Sequence, residues 1–221
     1  MTVADVLLRA GQSLCGRPPT LAFTRDACRM LIASGIPGSF VECGVAAGAH
    51  PAVMAAVLEE QGDTTRRVHL FDSFQGIPHA GPEDDEQPGV RPNTFPKDGA
   101  LISTGVSAQS EEQVRAHLSA WGAPLDRCVF HRGWFQDTMP TASRATGPIA
   151  YLRLDGDLYE STRVCLEDLY PLVVPGGVVV IDDYLLIGCR RATDRDLASI
   201  GARVEIREIE GGGGPVWWVK T

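Results

Sequence analysis

The chain has 221 residues, a formal net charge of -8, and 44% hydrophobic and 22% charged residues. That length fits one domain with a sizeable core, and the composition is ordinary for a globular protein. The acidic balance argues against nucleic-acid or anionic-membrane partners, both of which favour basic surfaces.

The first stretch, "MTVADVLLRAGQ", is weakly helical. It has no basic region followed by an apolar run, so neither a signal peptide nor a transmembrane segment is expected. Residues 1–19 read as an arm or an oligomer contact. "TLAFTRDACRMLIASG" has helical spacing, with Thr20 as N-cap and Gly35 as stop. "GSFVECG" reads as a short buried strand, "AHPAVMAAVLEEQG" as a helix ending at Gly62, and "RRVHLFD" as the next strand. This order opens an α/β domain with a parallel sheet. A proline-rich interruption follows at 73–106, with an acidic cluster "EDDEQ". Its length suits a lid loop or a solvated insertion. "SEEQVRAHLSAWG" then reads as a helix with Ser110 and Gln113 at capping-box spacing. "DRCVFHRG", "PIAYLRLD" and "GGVVVIDD" read as strands. "YESTRVCLEDLYPLV" contains a helix, and "LIGCRRATDRDLASIG" reads as another. "ARVEIREIEGGGGPVWWVK" reads as a terminal hairpin, giving a mostly parallel sheet with an antiparallel edge strand.

Six cysteines (Cys15, Cys28, Cys43, Cys128, Cys165, Cys189) show no C-x-x-C spacing and no zinc-finger pairing with histidine. They read as reduced structural thiols of a cytoplasmic protein. Histidines carry little signal. His69 lies in a strand, His117 on a helix surface, and His50 and His131 lie where a cofactor is within reach. Trp217 and Trp218 point to opposite faces of the last strand.

Ligands of open α/β sheets bind outside the carboxyl ends of the strands, and acids close four strands here. Glu42, Cys43 and Gly44 end the first, and Asp72 ends the second. Asp155 and Asp157 follow another, and Asp182 and Asp183 the next. Gly44 and Gly48 permit close backbone approach at a strand-to-helix turn, and Asp72 is placed to bond ribose hydroxyls. The glycine spacing is not that of a dinucleotide site and suits an adenosyl cofactor without a pyrophosphate. The alternative for Gly44 and Gly48 is a tight turn with close helix packing. Asp155, Asp182 and Asp183 converge if their strands are neighbours. Three carboxylates at one spot repel each other, and a hard divalent cation, Mg²⁺ before Ca²⁺, removes the conflict. Asp157, across a glycine, faces that site as a general base. Its alternative is to cap the helix near Tyr159, with Asp183 capping or turning in its own loop.

The segments "IPGSFVECGVAAGAH", "LFDSFQGIP", "HRGWFQDTMP", "LRLDGDLYEST", "LYPLVVPGGVVVIDDY" and "VWWVK" resemble the macrocin O-methyltransferase family from about Ile36 onward. The resemblance implies a class I, Rossmann-like SAM-dependent methyltransferase fold with a mostly parallel seven-stranded sheet and an antiparallel C-terminal hairpin strand. It also implies SAM as methyl donor and Mg²⁺ as a required ion. Asp155, Asp182 and Asp183 match the family's metal ligands and Asp157 its base. Glu42, Gly44 and Asp72 match SAM-contacting positions, and Ser73 with Gly133, Trp134 and Phe135 borders the same pocket. Cys43, Gly48 and Asp155 complete the expected cofactor contacts. The family's Trp-Arg-Gly after "ECGV" is replaced by Ala46-Ala47-Gly48.

The expected activity is O-methylation of a sugar hydroxyl on a natural-product glycoside. A catechol-type enzyme acting on a phenol is the enzymatic alternative. A non-catalytic SAM-binding subunit is the alternative from another class, and the four intact aspartates count against it. A small-molecule acceptor and a homo-oligomer are the expected partners.

Overall fold

The computed structural model describes residues 1–13, 16–84 and 101–221. Seven helices alternate with seven strands along these residues. The helices are α1 (Val3–Ala10), α2 (Pro18–Ala33), α3 (Ala49–Glu60), α4 (Glu111–Trp121), α5 (Phe135–Thr146), α6 (Tyr159–Leu169) and α7 (Ile187–Ser199). The strands are β1 (Ser39–Cys43), β2 (Val68–Asp72), β3 (Cys128–Arg132), β4 (Ile149–Leu154), β5 (Val173–Ile181), β6 (Arg207–Glu208) and β7 (Val216–Val219).

The sheet runs β3-β2-β1-β4-β5-β7-β6. The first five strands in that order pair in parallel, and β7 is antiparallel to both β5 and β6. The carboxyl ends of β1, β2, β4 and β5 therefore share one rim. The strand order reverses between β1 and β4, which puts the ligand crevice of such a sheet at that pair.

Strand alternation sorts the core into two layers. Phe40, Tyr151, Val178 and Val180 face α1–α4. Val41, Leu152, Leu154, Val179 and Ile181 face α5–α7, where Met139, Leu166 and Leu197 meet them. Trp217 packs on the first layer, 5.1 Å from Phe23, and Trp218 is fully buried in the second. In α3, every residue from Ala49 to Leu58 is buried, because its far side is covered by α1 and α2. Gly48 opens α3 at φ 89°, and a Cβ there would sit 2.4 Å from Leu118 Cδ1. Its glycine serves helix packing, the structural alternative raised by the sequence.

α4 has the expected Ser110–Gln113 capping box and stops at Gly122 in the left-handed region. α2 differs from expectation. Its N-cap is Arg17, and Pro18 and Pro19 open the helix, where a missing N–H costs nothing. The Thr20 hydroxyl turns back to Arg17 O at 2.9 Å. α1 is not an arm. A Thr2–Asp5 capping box starts it, and Val3, Val6 and Ala10 are buried, packed with α3.

α5 has no counterpart among the expected elements, and it carries Pro140 inside "FQDTMPTASRAT", where a proline removes a backbone bond. Burial of Phe135 and Met139 offsets the lost backbone bond. The expected lid is tied at both ends: Ile77 N donates to Val106 O (2.9 Å), Thr104 N to Ile77 O (2.8 Å) and His79 N to Ile102 O (3.1 Å). The rest of that reading, 85–100, lies outside the described residues, as does Cys15. The other five cysteines are free. Among the described residues no helix is long and apolar enough to cross a membrane.

Candidate active site

A cavity of about 270 Å³ opens at the rim. Gly44, Asp72 and Ser73 line it from the β1 and β2 ends, Trp134 and Phe135 from the start of α5, and Asp155, Asp157 and Asp182 from β4 and β5. Glu42, Cys43, Gly48 and Gly133 were expected in this set and do not line it. Glu42 and Cys43 point into the two core layers, both buried. Gly133 instead gives close room, 2.6 Å, to the Thr138 methyl.

Asp72 is held by the backbone. Val45 N donates to Oδ2 at 2.8 Å and Phe74 N to Oδ1 at 2.7 Å. Burial raises its pKa, and these amides oppose the rise. Gly44 must be glycine, since its φ is 83° and a Cβ would lie 1.8 Å from Asp155 O. That contact brings the β1 and β4 loops together at the switch point.

Opposite lies an acidic cluster. Asp155, Asp157 and Asp183 each offer an oxygen within 4.8 Å of the others. Asp157 N donates to Asp183 Oδ2 at 3.0 Å, and Asp157 sits in the left-handed region at φ 60°, an uncommon place for a non-glycine residue. The N-cap of α6 is Leu158 and makes no side-chain bond, so Asp157 is not that helix's cap. Burial, then repulsion from Asp155, Asp182 and Asp72, raises its pKa to about 7. Burial, then repulsion from Asp155, Asp157 and Asp182, pushes Asp183 up strongly, against the Asp157 amide.

Asp182 stands apart from this cluster. Its Oδ1 accepts from Arg153 Nη2 at 2.6 Å and its Oδ2 from Arg17 Nη2 at 2.7 Å. Burial raises its pKa, and the two arginines oppose that. Arg153 is the residue that sequence reading missed. Its side chain is 2% exposed, and it reaches Glu42 Oε1 (3.0 Å) and Asp155 Oδ2 (2.8 Å) as well as Asp182. The available signal was a lone cation inside the apolar "YLRLDG". Register sets it beside Glu42 on β1, so each neutralises the other. Burial raises Glu42 despite the arginine, and among the described residues Glu42 Oε2 has no hydrogen-bond partner.

The histidines lie away from the cavity. His50 is buried, bonded through Nδ1 to the Thr24 hydroxyl (2.8 Å), which also meets the Tyr151 hydroxyl (3.0 Å). His131 stacks on Phe71 and bonds His69 at 2.9 Å.

The donor set fits a divalent cation. It offers hard carboxylate oxygens only, close enough to repel one another, and a cation would relieve that repulsion. The rim also fits an adenosyl cofactor. A carboxylate at the β2 end, a glycine turn and two aromatic residues border one cavity.

The sequence profile described as macrocin-O-methyltransferase (TylF) matches residues 5–220. A curated relative from Streptomyces olivaceus, 8-demethyl-8-(2,3-dimethoxy-alpha-L-rhamnosyl)-tetracenomycin-C 4'-O-methyltransferase, is 42% identical over 192 residues, covering 86% of this chain and 69% of its own length. The solved O-methyltransferase NovP superposes with a TM-score of 0.80 at 34% identity, over 92% of this chain and 80% of that one. TomG from Streptomyces achromogenes, an O-methyltransferase solved with SAM, shares the fold at 16% identity (TM-score 0.62, over 98% of this chain and 90% of that one).

Proposed function

The chain belongs to the macrocin O-methyltransferase family, and from that premise we propose that it transfers the SAM methyl group to a sugar hydroxyl of a natural product with Mg²⁺ at the aspartate cluster. The observation that carries the reading is the gathering of Asp155, Asp157 and Asp183 beside a cavity that Asp72 bounds on its other side. The sugar acceptor follows from the relative whose substrate bears a rhamnosyl group. The net charge of -8 supports a small-molecule rather than a nucleic-acid partner. SAM and unpaired thiols suit the cytoplasm, where we place the protein.

Asp155 and Asp183 would hold the cation, with Asp182 joining them as its Arg17 contact yields. When bound, Mg²⁺ supplies Lewis acidity toward the acceptor hydroxyl and neutralises the carboxylates. SAM supplies an electrophilic methyl on sulfonium. Asp72, held by backbone amides at the cavity wall, would turn its carboxylate to the ribose hydroxyls. Trp134 and Phe135 offer the adenine an apolar wall.

The reaction is a displacement: the acceptor O–C bond forms, the S–C bond breaks, and the hydroxyl proton passes to a carboxylate oxygen of Asp157. Without a cation, burial and the neighbouring carboxylates raise Asp157 to about 7; a bound cation would draw it down and leave it ionised to accept the proton. Alignment of oxygen, methyl carbon and sulfur by the rim supplies most of the remainder, on the order of 7–11 kcal/mol.

The test is incubation of the protein with SAM and a panel of deoxysugar glycosides and catechols, read by mass spectrometry. The reading expects methylation of a glycoside. Methylation of catechols alone would move the enzyme to the phenolic class, and no product with any acceptor would oppose the reading.

A further inference from the structure

The acidic cluster at the start of the insertion has a use that its sequence did not suggest. Glu83 and Asp84 form the short 3-10 turn Pro82–Asp84. Glu83 faces outward to Arg191 (2.8 Å) and Arg195 (3.3 Å). Asp84 turns inward and is 1% exposed. Its Oδ2 accepts from Gly81 N at 3.0 Å, and its Oδ1 accepts from Tyr159 N at 2.9 Å.

Tyr159 is the first residue of α6, and the carboxylate also meets the first turn of α7. A Cβ on Gly188 would fall 1.8 Å from Asp84 Oδ1, 2.9 Å from its Cγ and 3.1 Å from Tyr159 N. Gly188 is therefore the slot that lets one carboxylate stand at two helix starts. The carboxylate answers the leading amide of α6 and stands at the start of α7. Their N-caps, Leu158 and Leu186, make no side-chain bond, and the first amides and positive dipole end of a helix favour a carboxylate.

These two helix starts are also the ends of the two loops that carry the acidic cluster. Asp157 lies two residues before Tyr159, and Asp183 four before Ile187. We infer that Asp84 is a positioning residue: by capping α6 and abutting the first turn of α7 it fixes the spacing of the Asp155–Asp157 loop against the Asp183 loop. It holds Asp157 in its left-handed conformation, and it makes the start of the insertion part of the catalytic framework. Without it, α6 loses the acceptor of its leading amide, and the loop bearing Asp157 relaxes from φ 60° toward an ordinary conformation.

The kinetic part of this inference rests on the methyltransferase reading, and the structural part does not. The experiment compares wild type with Asp84→Ala, Asp84→Asn, Gly188→Ala and, as a control, Glu83→Gln. Amide hydrogen exchange is followed in the peptide spanning 155–162, SAM affinity by calorimetry, and methyl transfer where the wild type shows it.

Asp84→Ala and Gly188→Ala are expected to speed exchange in that peptide by about tenfold or more. They should lower kcat by about 100-fold, the cost of a misplacement on the order of 1 Å, with SAM affinity unchanged. Asp84→Asn retains an acceptor for Tyr159 N and should recover part of both losses, and Glu83→Gln should match wild type. Unchanged exchange in the alanine variants would overturn the inference. So would a fall in SAM affinity that matches the fall in kcat, or no recovery by asparagine. A wild type that methylates nothing would overturn the functional reading alone, and the exchange data would still decide the role of Asp84.

Discussion

On the β1–β2 half of the rim Asp72 stands alone, and backbone amides of Val45 and Phe74 answer both of its oxygens. On the β4–β5 half three aspartates crowd together with Asp182 beside them, and Arg153 and Arg17 are the charged partners of Asp155 and Asp182. The first half has its carboxylate answered by protein donors. The second stays short of positive charge, since among the described residues Asp157 and Asp183 meet carboxylates and no arginine. Adjacent strand ends thus differ in balance: one carboxylate is answered by backbone amides, and the other group carries more negative charge than its arginines offset.

The sharpest way to break this contrast is to remove the buried cation. Arg153→Met leaves Glu42, Asp155 and Asp182 without it and should cost about 3–5 kcal/mol, a drop in Tm of roughly 10 °C. Urea melts check it, and a variant as stable as wild type would show that the carboxylates do not depend on Arg153. Asp157→Asn comes next. It keeps the fold and SAM affinity and should lower kcat by about two to four orders of magnitude; turnover within a few-fold of wild type would remove Asp157 from the base role. Asp72→Ala tests the other half. Two amides lose their acceptor, which should cost about 1–3 kcal/mol, and SAM should bind more weakly in calorimetry. An unchanged dissociation constant would refute the ribose contact.

The smallest effect concerns the His69–His131 pair on β2 and β3. Burial, with the neighbouring His131 and Arg67, lowers His69 to about 4. A histidine depressed in the folded state binds its proton more readily when unfolded, so its contribution to stability is full above the unfolded pKa near 6.5. That contribution is lost as pH falls from there toward 4. The stability of wild type relative to His69→Phe should be flat above about pH 7 and fall by on the order of 1–2 kcal/mol by pH 5. A difference independent of pH would show that His69 titrates alike in both states.

The rim was legible in the sequence because strands end abruptly and acids at their ends have no structural reason to recur. The ends of "HLFD", "LRLDGD" and "VVIDD" do meet at the cavity or the cluster beside it, whereas of "FVECG" only Gly44 lines the cavity. What the sequence hid is what depends on neighbours brought together by the sheet. Arg153 looked like an odd residue in an apolar strand until register set it beside Glu42. Glu42 then proved to belong to the core and not to the cavity. Asp84 looked like one acid among several in a solvated insertion, yet it lies buried at two helix starts. α5 tolerates Pro140 because its cost is outweighed by burial that only the tertiary structure supplies.

The most direct test of the central claim is to strip the protein with EDTA and titrate Mg²⁺ back with SAM present. Calorimetry and glycoside methylation are followed in wild type and in Asp183→Asn. The account predicts a saturable Mg²⁺ isotherm whose midpoint coincides with the return of activity in wild type, with both absent in the variant. Full methylation in EDTA, or an isotherm unchanged by Asp183→Asn, would contradict it.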